Sequence, residues 1–98
     1  MIERTDEILI AQFQERGDRE SLASLIQRHQ SPVYSYLLRL LRNTHDAEEA
    51  AQETFLRVLR GLAGYRRELP FRPWLYRIAQ NCAKLASMFD PRLEGRKS

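Results

Sequence analysis

The clearest helix signal in this sequence lies in residues 46–62, which read DAEEAAQETFLRVLRGL. Apolar side chains recur there at steps of three and four, and Asp46 with Glu49 three residues later forms a capping box, a pattern that begins helices. The acidic first turn and the basic last turn both complement the helix dipole. We therefore predict a helix from Asp46 to about Leu62. Its inward stripe by spacing is Ala47, Ala50, Ala51, Thr54, Phe55, Val58 and Leu62.

The same spacing continues along nearly the whole chain, and no segment alternates with a period of two, so the sequence predicts an all-α protein. A first helix is expected over residues 6–16, ended by Gly17, and Asp18 caps the next one. The apolar side of this first helix is expected to consist of Ile8, Leu9, Ala11 and Phe13. Ser31 followed by Pro32 resembles an N-cap with a first-turn proline, which leaves open whether one helix or two fill residues 19–41.

A final helix is expected to begin near residues 71–73 and to continue to about Met88, where Asp90-Pro91 ends it. The prediction is thus a compact bundle of four to five helices. Residues 1–89 are expected to form the domain, and residues 90–98 a tail or linker stub.

At 98 residues the chain has room for one domain with a modest core. Its 43% hydrophobic and 30% charged residues are typical of a soluble globular protein. No apolar run approaches the roughly 20 residues of a membrane span, and the acidic N-terminus resembles no secretory signal. We therefore expect no membrane insertion and a cytoplasmic location.

The sequence gives no indication of an enzyme. Its single cysteine, Cys82, lies in an apolar helical stripe, and neither His29 nor His45 has neighbours at metal-ligand spacing. We expect both histidines at the surface. No glycine-rich phosphate loop is present. No catalytic residue, metal or cofactor is predicted.

Charge is distributed unevenly along the chain, although the net charge is only +3. Residues 1–53 contain six Arg or Lys and ten Asp or Glu, whereas residues 54–98 contain ten and three. A basic half favours a polyanionic partner such as nucleic acid. Solvated helix faces are the alternative explanation.

Two predicted helix faces carry unusual side chains. On the helix from Asp46, one exposed face combines acidic and amide groups with a leucine: Glu49, Gln52, Glu53 and Leu56. Such a face suits a basic, partly apolar protein surface. Ordinary compensation of the helix dipole would also explain the acidic residues.

The last helix should pack inward through a stripe of Phe71, Leu75, Ile78, Cys82, Leu85 and Phe89. A second stripe consists of Trp74, Arg77, Asn81 and Lys84, and the basic pair Arg66-Arg67 precedes the helix. Cations for phosphate, an amide for a base edge and a ring for stacking are what nucleic-acid recognition needs. Tyr65, Phe71 and Tyr76 would extend the stacking surface. Alternatively, Trp74 anchors the core and the arginines are merely solvated.

Two segments carry a family resemblance: residues 46–58, DAEEAAQETFLRV, and residues 71–81, FRPWLYRIAQN. Together they resemble conserved region 2 of bacterial extracytoplasmic-function (ECF) sigma factors. The Gly17-Asp18 turn, Leu25, Arg28 and Tyr34 also fit, and the resemblance covers roughly residues 6–86. It implies a helical domain that docks on the clamp helices of the largest RNA polymerase subunit. The docking face would consist of Glu49, Gln52, Glu53 and Leu56.

The resemblance also implies that residues 65–70 capture a flipped non-template base of the minus-ten promoter element. The expected DNA-binding residues are Arg66, Arg67, Phe71, Trp74, Tyr76, Arg77, Asn81 and Lys84. Melting would then need binding energy alone. An anti-sigma protein that covers these surfaces is a further expected partner, and a regulatory module built around that partner is the alternative function.

The sequence departs from the family pattern in two places. Relatives often continue after the Asn81 position with an aspartate and a run of arginines, whereas here Leu85 to Pro91 intervene. The helix-turn-helix domain that would read the minus-thirty-five element is absent from these 98 residues. An isolated domain of a longer factor is the favoured explanation, and a natural single-domain form is the alternative.

Overall fold

The computed structural model describes residues 4–66 and 68–88 of the chain. Within those ranges it has four helices and no strand: α1 (Asp6–Arg16), α2 (Arg19–Leu41), α3 (Thr44–Leu62) and α4 (Phe71–Met88). The all-α prediction is therefore confirmed. Arg67, Phe89 and the predicted tail lie outside the described residues, so those predictions are untested.

The turn between α1 and α2 forms as its sequence predicts. Gly17 adopts a left-handed conformation with φ 66°, and its N–H bonds the carbonyls of Gln12 and Phe13. Asp18 caps α2 by accepting from the backbone N–H groups of Glu20 and Ser21. The Ser21 hydroxyl donates to the same carboxylate at 2.9 Å, and this bond is the largest cause that lowers the pKa of Asp18.

The segments on either side of Pro32 form one helix. Ser31 is therefore not an N-cap, and Pro32 lies inside α2 on its exposed side. A proline there removes one helical hydrogen bond. Burial at steps of four, through Leu25, His29, Val33 and Leu37, carries the helix across it.

α3 begins two residues earlier than predicted. Asn43 is the N-cap, with an extended backbone and a side chain that accepts from the Asp46 N–H at 2.9 Å. The predicted capping box of Asp46 and Glu49 is wrong, because Asn43 already satisfies the donor that such a box would bind. Glu49 points outward instead, 3.3 Å from His45.

The four helices share one core. α1 packs on α2, α2 packs on α3 and α4, and α3 packs on α4. The largest fully buried side chains are Leu9, Ile10, Leu25, Leu37, Leu62 and Leu75. No helix in the described part of the chain has the length and hydropathy that a membrane span requires.

Three packing predictions are wrong. Leu85 is 39% exposed, because the inward face of α4 is centred on Leu75, Ala79 and Cys82 and leaves Leu85 at its edge. Ile8 on α1 is likewise exposed, and its neighbour Ile10 is buried instead. His29 is buried rather than at the surface, since its Nε2 atom lies 3.0 Å from both carboxylate oxygens of Asp6. His45 is exposed as expected.

Candidate nucleic-acid and protein interfaces

The outer side of α4 presents a single polar stripe. Arg77, Asn81 and Lys84 are exposed and Trp74 is half-buried. Their steps of three and four residues place all four on one face of the helix. The structure thus brings together the four residues that the sequence assigned to this stripe. None of the ion pairs among residues 4–66 and 68–88 involves Arg77 or Lys84.

Trp74 lies where the end of α3 meets the start of α4. Its ring centroid is 4.8 Å from that of Tyr65 and 5.8 Å from that of Phe71. A Cβ atom on Gly61 would lie 3.2 Å from Trp74 Cζ2, so the glycine allows the indole to approach α3 closely. Trp74 therefore anchors the packing and keeps part of its ring at the surface.

Two of the predicted stacking residues belong to the core. Phe71 is 2% exposed and its ring packs beside His29, with centroids 5.4 Å apart. Tyr65 is 8% exposed. Neither ring offers a face on which a base could lie, so we assign both to packing rather than to stacking. Tyr76 is half-buried, edge-on to Tyr36 at 5.1 Å.

The segment that leads into α4 is closed by its own hydrogen bonds. The Tyr65 hydroxyl donates to the Leu69 carbonyl, and the Leu69 N–H donates to the Arg66 carbonyl at 3.0 Å. Burial raises the pKa of Tyr65, with smaller contributions from Glu7 and Glu68, so the hydroxyl keeps its proton at neutral pH. Arg66 is exposed and pairs with Glu68 at 3.0 Å.

One residue at this site has no signal in the sequence. The side-chain nitrogen of Gln14, on α1, donates to the backbone carbonyls of Leu62 at 2.9 Å and Tyr65 at 2.8 Å. It therefore joins α1 to the segment that precedes α4. A single glutamine in a helix belongs to no motif, and only the folded chain shows what it contacts.

The outer face of α3 has a different character. Glu49, Gln52 and Leu56 are exposed and Glu53 is half-buried, with Leu56 at 46% exposure. Glu53 accepts from Arg57 at 2.9 Å, one helical turn away. That hydrogen bond makes the largest contribution to the raised pKa of Arg57. This face forms one side of a groove between α2 and α3: Gln52 and Leu56 line it together with Tyr34, Phe55 and Leu59, among others.

Within the described ranges, no three His, Cys, Asp or Glu side chains are grouped so that they could hold a metal ion.

Comparison with known families assigns the chain. The family model for sigma-70 region 2 matches residues 25–86, which include α3, the segment after it and all but the last two residues of α4. The chain belongs to the sigma-70 region 2 family. Both faces described above lie within the matched segment. The similar proteins described next place this region 2 domain in the ECF class.

Several curated proteins are similar to this sigma region 2 domain. RNA polymerase sigma-H factor of Pseudomonas aeruginosa is 32% identical over 84 residues, covering 86% of this chain and 43% of the relative. ECF RNA polymerase sigma-E factor of Haemophilus influenzae is 36% identical over 80 residues, covering 82% of this chain and 41% of the relative. The chain therefore spans about two fifths of the length of these relatives.

A solved structure supports the same assignment. The fold matches the NMR structure of the complex formed by an engineered region 2 of sigmaE with GTAAAA, with a TM-score of 0.77 and 35% identity. The match covers 86% of this chain and 87% of that one. The four helices of our chain are thus those of a sigma region 2 domain.

Proposed function

We propose that this chain docks on the clamp helices of RNA polymerase through α3 and holds the non-template strand of the minus-ten element through α4. The observation that carries the proposal is the α4 stripe in which exposed Arg77, Asn81 and Lys84 lie on one face with half-buried Trp74. Its support from related proteins is the complex of sigmaE region 2 with GTAAAA. Such a factor would work in the cytoplasm, where the polymerase is.

The chemistry on the DNA side is binding. Arg77 and Lys84 would neutralise phosphates, and the Asn81 amide can both donate to and accept from a base edge. The exposed part of Trp74 provides a stacking surface, and stacking of one base contributes about 1–3 kcal/mol. Taking a base out of the duplex costs a few kcal/mol, so these contacts can offset the cost of melting.

The chemistry on the polymerase side is that of a protein interface. Leu56 offers apolar area at the centre of a face whose acidic and amide groups, Glu49, Gln52 and Glu53, can meet cations and donors. This face suits a basic surface with an apolar centre, such as a pair of clamp helices.

The DNA side is tested by the double substitution Asn81→Ala with Lys84→Ala. We expect the affinity for the single-stranded hexamer GTAAAA to fall at least tenfold, and promoter opening to fall with it, while polymerase binding is unchanged. The matched control is Arg19→Ala with Gln27→Ala, which removes an exposed cation and an exposed amide from α2. Equal hexamer affinity for the test variant and the wild type would refute the DNA-binding role.

The polymerase side is tested by Glu53→Lys. We expect binding to core polymerase to weaken about tenfold, because the charge of one side chain is reversed in a face that would meet cations. Arg57→Ala controls for loss of the ion pair with Glu53, and Glu20→Lys controls for charge reversal at an exposed site on α2. Hexamer binding should be unaffected in all three variants. Normal polymerase binding by Glu53→Lys would exclude this face.

A second candidate function is a regulatory module whose main partner is an anti-sigma protein. The observation in its favour is the groove beside Leu56, where Phe55 and Leu59 leave apolar surface exposed between α2 and α3. Binding of a small helical protein without detectable binding to core polymerase would favour this function.

A further inference from the structure

Gln14 joins two distant parts of the chain. It is a half-buried residue near the end of α1, and its side-chain nitrogen donates to the Leu62 and Tyr65 carbonyls at 2.9 and 2.8 Å. Both acceptors are backbone carbonyls, which only accept, so the NH2 end of the amide must face them. Both hydrogens of the Gln14 amide therefore bond to one short stretch of backbone, residues 62–65.

That stretch lacks the usual closure of a helix end. The last carbonyls of a helix have no partner inside the helix, and a residue with positive φ often closes the turn that satisfies them. At the end of α3, Ala63 has φ −61°, and within the described residues only Gly17 and Arg42 have positive φ. The turn's own bonds, Gly64 N–H to Gly61 and Tyr65 N–H to Leu62, are both 3.2 Å long. Gln14 supplies the shorter contacts, at 2.9 and 2.8 Å.

The backbone at Tyr65 in turn positions Trp74, the first residue of the α4 stripe that we propose binds DNA. The Tyr65 ring packs on Trp74, and its hydroxyl closes the segment on Leu69. A shift of the Tyr65 backbone would therefore move the surface against which the indole rests. Since interiors are close-packed, such a shift is transmitted rather than absorbed.

From these contacts we propose that Gln14 is a positioning residue for DNA binding: it fixes the backbone at Leu62 and Tyr65, and thereby orients Trp74 before DNA arrives. The proposal rests on the function proposed above. Its physical basis is preorganisation, because a surface that is already ordered loses less conformational freedom on binding. Gln14 itself need not touch the nucleic acid.

The chain offers a matched pair of substitutions on one helix. Gln14→Glu replaces two donors by carboxylate oxygens that face two carbonyls. Gln12→Glu is the control, because the Gln12 Oε1 atom is already an acceptor, from Arg4 at 3.0 Å and from the Ser21 hydroxyl, which it shares with Asp18, at 2.7 Å. The two variants have the same composition and charge. The Gln12 site already presents donors, Arg4 and Ser21, to a side-chain oxygen, whereas the Gln14 site presents two carbonyl acceptors.

Four measurements decide the question at a temperature where each variant is folded. For Gln14→Glu relative to Gln12→Glu, we expect about tenfold weaker binding of GTAAAA, faster hydrogen exchange at the Leu69 amide, and unchanged binding to core polymerase. The emission of Trp74, the single tryptophan of the chain, should also shift. If Gln14→Glu does not fold, Gln14→Met, which keeps the volume and removes the donors, takes its place with the same expectations.

The inference is overturned if the Gln14 variant binds GTAAAA as tightly as the Gln12 variant, or if hexamer and polymerase affinities fall together, because that marks general damage. A wild-type chain that does not bind GTAAAA would instead refute the proposed DNA-binding function. In that case the structural part of the inference is judged by Leu69 exchange alone, which the Gln14 variant should still accelerate.

Discussion

The exposed faces of α3 and α4 differ in how their charges are satisfied. On α3, the acidic groups are paired within their own helix, Glu53 with Arg57 and Glu49 with His45. On α4, Arg77 and Lys84 take part in none of the ion pairs among the described residues, and a partly exposed indole lies beside them. Acidic groups with partners on their own helix, around a leucine, suit a protein surface, whereas cations beside a ring suit a polyanion whose unpaired bases can stack on that ring.

The two faces nevertheless depend on the same core. The inner side of α3 presents small residues, Ala47, Ala50 and Thr54, and the inner side of α4 presents Ala79 and Ala83. Thr54 satisfies its buried hydroxyl by donating to the Ala50 carbonyl at 2.7 Å. Small residues let the helices pack closely, so damage between them should affect both faces, and damage on one face should affect only that face.

The largest effect is expected from Leu75→Ala, which should impair the exposed faces of α3 and α4 alike. Leu75 has 0% exposure, and removal of a buried leucine side chain costs about 2–5 kcal/mol of unfolding free energy. We expect a loss in this range in urea unfolding, with DNA and polymerase binding impaired together. Leu85→Ala on the same helix is the control, and it should change stability by less than about 1 kcal/mol because Leu85 is 39% exposed. Equal losses for both variants would mean that the buried face of α4 is misassigned.

A smaller and selective effect is expected from Arg77→Gln, which sharpens the contrast. If Arg77 neutralises one phosphate of single-stranded DNA, the slope of log affinity against log salt should become shallower by about 0.7. The measurement is hexamer binding over a series of salt concentrations. Arg72→Gln, an exposed cation on the opposite side of α4, should leave the slope unchanged. A slope that is the same in wild type and Arg77→Gln would remove Arg77 from the DNA-binding set.

The smallest expected effect is a pH dependence of the unfolding free energy, caused by Tyr65 in the segment between α3 and α4. Burial raises the pKa of Tyr65, so the folded state favours the neutral phenol. Its contribution to stability is complete below the ordinary tyrosine pKa of about 10 and is lost as the pH rises through the folded value. Urea unfolding from pH 8 upward should show this loss in the wild type, and Tyr65→Phe should show a flatter profile. Parallel profiles would assign the alkaline loss to other groups.

Much of this fold follows from periodicity. The bounds of α1 and α4 and the end of α3 match the prediction, because apolar spacing, Gly17 and the proline-rich entry to α4 are local signals. The stripe of Trp74, Arg77, Asn81 and Lys84 also follows, since residues three and four apart share a helix face whatever the rest of the chain does.

What the sequence could not predict depends on neighbours in space. Pro32 is tolerated because buried residues before and after it hold α2 together, and this support comes from other helices. The burial of His29 depends on Asp6, and that of Phe71 depends on rings from two other segments. Gln14 is the clearest case, because its two acceptors are backbone atoms far along the chain and leave no trace in residue types.

The close approach of Gly61 to Trp74 couples the sizes of two side chains on different helices. With only 3.2 Å between a Cβ at position 61 and the indole, a larger residue at 61 requires the ring at 74 either to move by a few tenths of an ångström or to become smaller. A library that randomises both positions and selects for hexamer binding should therefore return compensating pairs, in which a larger residue at 61 accompanies a smaller ring at 74. An engineer who wishes to reshape the stripe that begins at Trp74 should therefore start at the glycine.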